Sequence, residues 1–578
     1  MLGRLVGALG RRFRAGPAAA APSAAEWIER GIASNRAGDL ADAAICFERA
    51  LALDPDAVPA LHGRAAMHHL AGDHEDAIAL CDDVIARAPR HLDAWITRGF
   101  AARALGRLDE ALTAFRTAVD IDARPGLISC VGGILFQQGR IAAALEQMDR
   151  ALAADPAADL IHSNRLFILN HDPRLTPAQV AAAHFAWGRM VEARLAPLRE
   201  PLAPDPDPAR RLRVGYVSAD LRTHSVAFYL APVLEHHDRT RVEVICYDNQ
   251  PGPGDAFTRR LERLADQWVR TAALDDLALA RRIRADRVDV LVDLSGHTGG
   301  NRLPVFAMRA APVQVSWFGY MNTTGLTAMD YRLTDPSLLP PGAEALYSEA
   351  LFRIPSTAVW SPAPDSPEPG PLPALAHGQV RFGSFNNWAK VSDDVVRTWS
   401  ALLGRVPEAR LLVVAAGGDD EGARAQIAAR FGRAGVGRER LEIVGTRPLA
   451  QFLDLVRSVD IALDPYPYNG GTTTMHTLWM GVPVVSLAME QEIGRVSRGL
   501  LWACGLHDLC ASSEDRYVDA AAALAHDLPR LAALRQDLRT RLRASPLMNG
   551  AEMATNLEKA FRVMWHNHLQ GDKHRLSI

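Results

Sequence analysis

The sequence has 578 residues, 48% of them hydrophobic and 23% charged, with a formal net charge of -3. A chain of that length divides into roughly three or four domains, and its balanced charge favours neither nucleic acid nor an anionic membrane as a partner. Six cysteines (Cys46, Cys81, Cys130, Cys246, Cys504 and Cys510) show no CxxC spacing, which excludes a zinc ribbon or thioredoxin-like motif and suits a reducing, cytoplasmic compartment.

The opening residues, "MLGRLVGALGRRFRAGPAAAAP", carry several arginines and a short apolar run broken by Gly and Arg. They fit neither a secretory signal nor a membrane span, so residues 1–22 are expected to be a disordered tail. No later stretch has the roughly 18 apolar residues of a membrane helix.

A repeat follows. Gly38 and Ala43, Gly72 and Ala77, Gly106 and Ala111, and Gly139 and Ala144 keep the same five-residue offset, and the units recur every 34 residues, once 33. Ala50, Val84, Ala118 and Ala151 supply a second small or β-branched residue per unit, and Pro55, Pro89 and Pro156 close three of them. The glycine is expected to end one helix, and the alanine to let the next approach it closely. The period and pattern are those of the tetratricopeptide repeat, predicting four repeats over 23–158. Stacked pairs of this kind form a concave groove, expected here to bind a protein partner.

Residues 159–210 read as a helical connector ending in the proline-rich "PLAPDPDPAR". The pattern then changes to buried strands alternating with helices: "RLRVGYVS", "VEVICYD", "VDVLVDLSG", "PVQVSWFG" and "DYRLTD". A second proline-rich break at 361–378 precedes "VRFGSFN", "ARLLVVAAGG", "LEIVGT", "VDIALDPYP" and "VPVVSL". Two doubly wound α/β halves are therefore predicted, 211–370 and 371–570, with a ligand cleft at the carboxyl ends of their strands.

The candidate site residues lie just past those strands. "YNGGTTTMHTLWMG" leads a strand through Asn469, Gly470, Gly471, Thr472 and Thr473 into a helix. Glycines admit close backbone approach, and a helix N-terminus supplies unpaired N–H groups and partial positive charge, a combination suited to a diphosphate. It is not a Walker loop, since no GK[ST] follows. "FGSFNNWAKVS" places Asn387 and Lys390 at the same sheet edge, where an ammonium could offset charge on a departing phosphate. In the first half "YVSADLRTHS" offers Asp220 and His224, and "DLSGHTGGNR" offers Asp293 and His297, as candidates for acid–base work or for positioning acceptor or sugar.

Taken together, the repeats and the stretches "YVSADLRTHS", "VDLSGHTGGNRLPVFAMRAAPVQVSWFGY", "MDYRLTDPSLLPPG", "FGSFNNWAKVS" and "LDPYPYNGGTTTMHTLWMGVPVVSL" resemble the protein O-linked N-acetylglucosamine transferase family, which includes plant Spindly-like and bacterial members. The resemblance runs from about residue 23 to 560. It implies two Rossmann-like domains of the GT-B type and inverting transfer from UDP-N-acetylglucosamine to Ser or Thr hydroxyls of protein acceptors, without a metal. On that resemblance His224 matches an active-site histidine, Lys390 a lysine on the donor diphosphate, Asn387 a glutamine on the nucleotide, and Gly471, Thr472 and Thr473 the phosphate-binding stretch. Two positions depart from the pattern. His476 stands where many relatives carry Asp, a ribose contact, and Arg498 where a small residue is common. The histidine leaves open a flagellin-directed or other transferase using a different nucleotide sugar. A repeat scaffold with an inactive transferase domain is the alternative of another kind.

Overall fold

The structure is a computed structural model that describes residues 22–202, 205–571 and 576–578. The expected tail, 1–22, thus lies almost wholly outside the described residues. The chain forms two compact units, 1–123 and 124–578.

In the first unit the repeats build three helix pairs: Ala24–Arg36 with Leu40–Leu53, Val58–Ala71 with His74–Arg87, and Leu92–Ala104 with Leu108–Ile121. The glycine at each pair's corner is left-handed, with φ of 81° at Gly38, 89° at Gly72 and 76° at Gly106, a conformation that ends a helix without a Cβ penalty. Ala43, Ala77 and Ala111 are fully buried where the second helix crosses the first. A Cβ on Gly63 would sit 2.4 Å from the Phe47 ring, so the small residues set how closely the helices pack.

The fourth pair, Pro125–Gln137 with Ile141–Ala154, belongs to the second unit. The division between the two compact units therefore falls inside the predicted repeat array, ahead of its fourth helix pair. The connector helices Asp159–Leu169 and Pro177–Leu195 follow, and they are built into the α/β body. A Cβ on Gly188 would lie 1.8 Å from the Gly325 carbonyl oxygen. Glu192 accepts hydrogen bonds from Thr327 Oγ1 (2.7 Å) and the Ala328 N–H (2.6 Å).

Two parallel sheets make up that body. The first contains β1 (Leu212–Ser218), β2 (Val242–Asp248), β3 (Gln267–Arg270), β4 (Val290–Asp293), β5 (Val313–Ser316), β6 (Tyr331–Thr334) and β7 (Ala350–Arg353), in the order β3-β2-β1-β4-β5-β6-β7. The second contains β8 (Arg381–Ser384), β9 (Arg410–Val414), β10 (Leu441–Val444), β11 (Ile461–Leu463), β12 (Val484–Leu487) and β13 (Cys510–Ala511), in the order β10-β9-β8-β11-β12-β13. Central strands such as β4, β5 and β12 are buried at every position, as strands covered by helices on both faces must be. Each order reverses once, between β1 and β4 and between β8 and β11, and ligands bind at such reversals.

One element lies across the predicted division of the halves. The helix Gly550–Gln570, expected in the second half, packs against Ser225–His236 of the first. There the buried Glu558 accepts from His237 Nδ1 (3.0 Å) and the Asp238 N–H (2.8 Å). The proline-rich 361–378 stretch is strapped down, with Arg535 donating to the carbonyl of Pro369 (2.9 Å) and Arg539 to that of Pro367. No helix among the described residues is long and apolar enough to cross a membrane.

Candidate active site

Both strand-order reversals open onto one cavity of about 640 Å³ between the two halves. From the second half it is lined by Lys390, Tyr468, Asn469, Gly471, Thr472 and Thr473, and from the first by His224, Ser225, Tyr229 and Phe318.

The loop after β11 is shaped by Asp464. Burial holds its carboxyl above the usual range, while hydrogen bonds from Ser486 Oγ (2.7 Å), the Gly470 N–H (2.7 Å) and Asn386 Nδ2 (3.3 Å) stabilise the charged form. These bonds fold the chain into the helix Thr472–Trp479, which Gly471 precedes without any side-chain cap. The backbone N–H groups of Gly471, Thr472, Thr473 and Thr474 have no acceptor among the described residues. Gly471 to Thr473 line the cavity, so unpaired donors and the positive end of the helix face it together.

Lys390 reaches the same place from a short turn after β8. Its Nζ donates to the Asn469 carbonyl (2.8 Å) and Asn386 Oδ1 (3.3 Å), and lies 4.0 Å from the centre of the Tyr468 ring. Two of three ammonium protons are thereby held, leaving one for a ligand. Burial pulls its pKa down to about 8, with Asp464 opposing the shift.

His224 caps the helix Ser225–His236 from the first half, its Nδ1 accepting from the Val226 N–H at 3.3 Å. The Asp220 carboxylate lies 3.6 Å from that nitrogen, too far for a hydrogen bond. Burial depresses the imidazole's pKa, Asp220 working against it, and the neutral ring predominates near pH 7. With Nδ1 accepting, the neutral ring's proton sits on Nε2. The geometry thus makes His224 a hydrogen-bond donor through Nε2.

Of the other residues singled out in the sequence, Asn469 lines the cavity, while Asn387, Gly470, Asp293, His297 and His476 lie outside its lining. Asn387 is exposed and uses its side chain to cap its own turn, accepting from the Ala389 N–H at 3.1 Å; the asparagine beside Lys390 is the preceding one, the buried Asn386. The Gly470 N–H is taken by Asp464. Asn469 lends Lys390 its carbonyl, while its side-chain nitrogen donates to Pro465 O at 3.0 Å. Asp293 is 1% exposed and accepts from the N–H groups of Ser295 (3.1 Å) and Gly296 (2.8 Å), and burial raises its pKa to about 6. His297 is equally buried and joins the connector to the sheet, between Ser163 Oγ (3.0 Å) and the Thr324 carbonyl (2.9 Å). His476 packs edge-on against Phe228 and Trp360, both with ring centres 5.3 Å away. Its Nδ1 is buried without a partner, and burial lowers its pKa to about 4.

The cavity also draws on residues that the sequence did not single out. Ser356 and Thr357 follow β7, and Asn549, Glu552 and Asn556 come from the returning last helix. That helix reveals its role only through its distant partner, Ser225–His236. Among the described residues no group of three His, Cys, Asp or Glu side chains is placed to hold a metal ion.

The family model of glycosyl transferase family 41 matches residues 151–360 and 373–557, and tetratricopeptide repeat models match 28–90 and 68–125. A probable UDP-N-acetylglucosamine–peptide N-acetylglucosaminyltransferase SPINDLY of Solanum lycopersicum is 36% identical over 427 residues, covering 73% of this chain and 46% of the relative. A probable enzyme of the same description, SEC of Arabidopsis thaliana, is 32% identical over 379 residues, covering 63% of this chain and 38% of the relative. The chain thus spans less than half the length of these curated relatives. Among solved structures, a mutant of Thermobaculum terrenum O-GlcNAc transferase is 34% identical with a TM-score of 0.78, covering 95% of this chain and 98% of that one.

Proposed function

Because the chain belongs to glycosyl transferase family 41, we propose that it transfers N-acetylglucosamine from UDP-N-acetylglucosamine to Ser or Thr hydroxyls of protein acceptors, with inversion at the anomeric carbon. The observation that carries this reading is the meeting of the Lys390 ammonium with the unpaired N–H groups of Gly471 to Thr473 in one cavity. That meeting supplies what a departing nucleoside diphosphate needs. As the acceptor oxygen bonds to C1 and its proton is released to solvent, the C1–O bond to the phosphate breaks and its electron pair passes to UDP. The sugar goes through an oxocarbenium-like state, and negative charge grows on the phosphate beside preorganised donors. His224 donates Nε2–H to an oxygen of the sugar or acceptor, positioning it. This design meets the diphosphate charge with an ammonium and a helix terminus, in place of a metal ion. The cytoplasm is the compartment we assign, in keeping with six cysteines that form no disulfide.

His476, the residue that kept another nucleotide sugar open, contributes no atom to the cavity lining. A donor panel tests the assignment: UDP release from UDP-N-acetylglucosamine is expected, and CMP release from a CMP-linked sugar would sink it.

Two further results are expected. The reactive form of Lys390 is the ammonium, and its pKa near 8 is that of the free enzyme. The pH profile of kcat/KM for the donor should therefore fall as pH rises through about 8. A profile flat to about pH 9.5 would separate Lys390 from the chemistry.

The repeats are proposed to select the acceptor through their groove. A chain beginning at Arg124 keeps the whole second compact unit. It is expected to retain donor hydrolysis and lose modification of intact proteins, read by intact mass of co-expressed acceptors. Undiminished protein modification would remove the repeats from acceptor choice.

A further inference from the structure

One wall of the cavity holds a cation for which the donor chemistry has no evident use. Arg498 lies on the helix Val496–Ala503 and lines the cavity. Its guanidinium stacks 3.9 Å from the centre of the Trp502 ring, and its Nη1 donates to the Ser337 carbonyl at 3.2 Å. No carboxylate pairs with it among the described residues, in a chain where most buried or half-buried arginines have one. One of five N–H donors is engaged, and the stacking holds the remaining fork extended.

The helix gives this cation a direction. Its first residue, Val496, lies beside the phosphate loop, 3.6 Å from where a side chain on Gly471 would begin. Trp502, six residues on, is 40% exposed and marks the solvent rim. Arg498 therefore stands between the phosphate loop and the opening through which a protein segment must enter. Diphosphate charge is already met at the loop by Lys390 and the helix amides. The acids that share the cavity are engaged elsewhere: Asp335 accepts from Ser337 and Thr357, and Glu552 from Asn549.

Resting on the transfer reaction proposed above, we propose that Arg498 is a specificity residue selecting acceptor segments that carry an Asp or Glu side chain beside the modified hydroxyl. The carboxylate forms a bidentate pair with the free edge of the guanidinium, while Trp502 supports the arginine from its other face.

The test uses the full chain, its R498A and R498E variants, and synthetic Ser peptides whose flanking residues are Asp, Ala or Lys. Wild type should favour Asp over Lys peptides in kcat/KM by on the order of 10-fold, the range of a hydrogen bond to a charged group. R498A should level the series, and R498E should invert it, a reversal that a merely structural arginine would not produce. Fluorescence anisotropy with the same peptides reads the preference without turnover, so it holds even for a chain that transfers no sugar. UDP release without peptide tests the transfer chemistry separately. Equal peptide preferences in wild type and R498A overturn the proposal. So does a raised KM for UDP-N-acetylglucosamine with peptide preference unchanged, which would give Arg498 to the diphosphate.

Discussion

Replacing Lys390 by Ala should lower kcat by about 10²- to 10³-fold, the loss that follows removal of one preorganised donor from a site of developing charge. The ammonium is fixed before substrate arrives, by the Asn469 carbonyl, Asn386 and the Tyr468 ring. Little reorganisation is then needed as charge passes to the phosphate. An interaction that strengthens in the transition state appears in kcat more than in KM, so the donor KM should change far less than the rate. K390R should not restore activity, because a planar guanidinium cannot occupy the compact seat beneath Asn469 and above Tyr468. Steady-state rates of UDP release, with and without acceptor, give the result. A loss below about 5-fold would take Lys390 out of leaving-group stabilisation and leave the helix amides to carry it.

The parts of this site legible in the sequence are those fixed by local chemistry. Gly471, Thr472 and Thr473 announce a helix entered through glycine, and the structure places all three on the cavity. Lys390 is signalled by a strand that stops just before it. The repeat glycines and alanines are read from spacing because each acts within its own helix pair. What stayed hidden depends on partners distant in the chain. His297 looks like a second catalytic imidazole until Ser163 and Thr324 are seen to occupy both its nitrogens. Asn386 and Asn387 are adjacent and alike, and only the turn after β8 decides that the first faces Lys390 while the second faces solvent.

Strands follow the same division. β3, β7 and β13 are absent from the sequence reading, and all three are the edges of their sheets or, like β13, two residues long. In β3 the exposures run exposed, intermediate, buried, exposed, so the continuous apolar run that marks a central parallel strand never forms. The strands beside each reversal, which position the site, are the buried ones and the easiest to read. Sequence therefore locates the cleft while leaving its outer walls, including the returning last helix, to tertiary structure.

The largest effect on stability is expected where the two halves are joined by buried charge. Arg332 of β6 and Glu492, just past β12, are each 1% exposed in their side chains. The guanidinium donates Nε to Glu492 Oε2 at 2.9 Å, Nη1 to Ser316 Oγ at 3.0 Å and Nη2 to the Tyr320 carbonyl at 2.8 Å, and the Tyr347 hydroxyl adds a donor to Glu492 at 3.0 Å. R332M would leave Glu492 buried with only the tyrosine, and stranding one member of a buried pair costs about 3–5 kcal/mol. E492L would strand the arginine at a similar cost. The double variant, R332M with E492L, removes both charges and refills the volume with apolar atoms, so it should recover most of the loss. Chemical denaturation of the four proteins, followed by a signal from the α/β body, gives the cycle. Additive losses in the double variant would mean that the two residues stabilise the fold independently. Recovery would identify the pair as one unit. It would also yield a protein whose halves keep their packing and lack the ion pair. Glu492 is followed three residues later by Arg495 and then by the helix that carries Arg498. The donor KM and peptide preference of that double variant would therefore show whether the ion pair also sets the position of the acceptor wall.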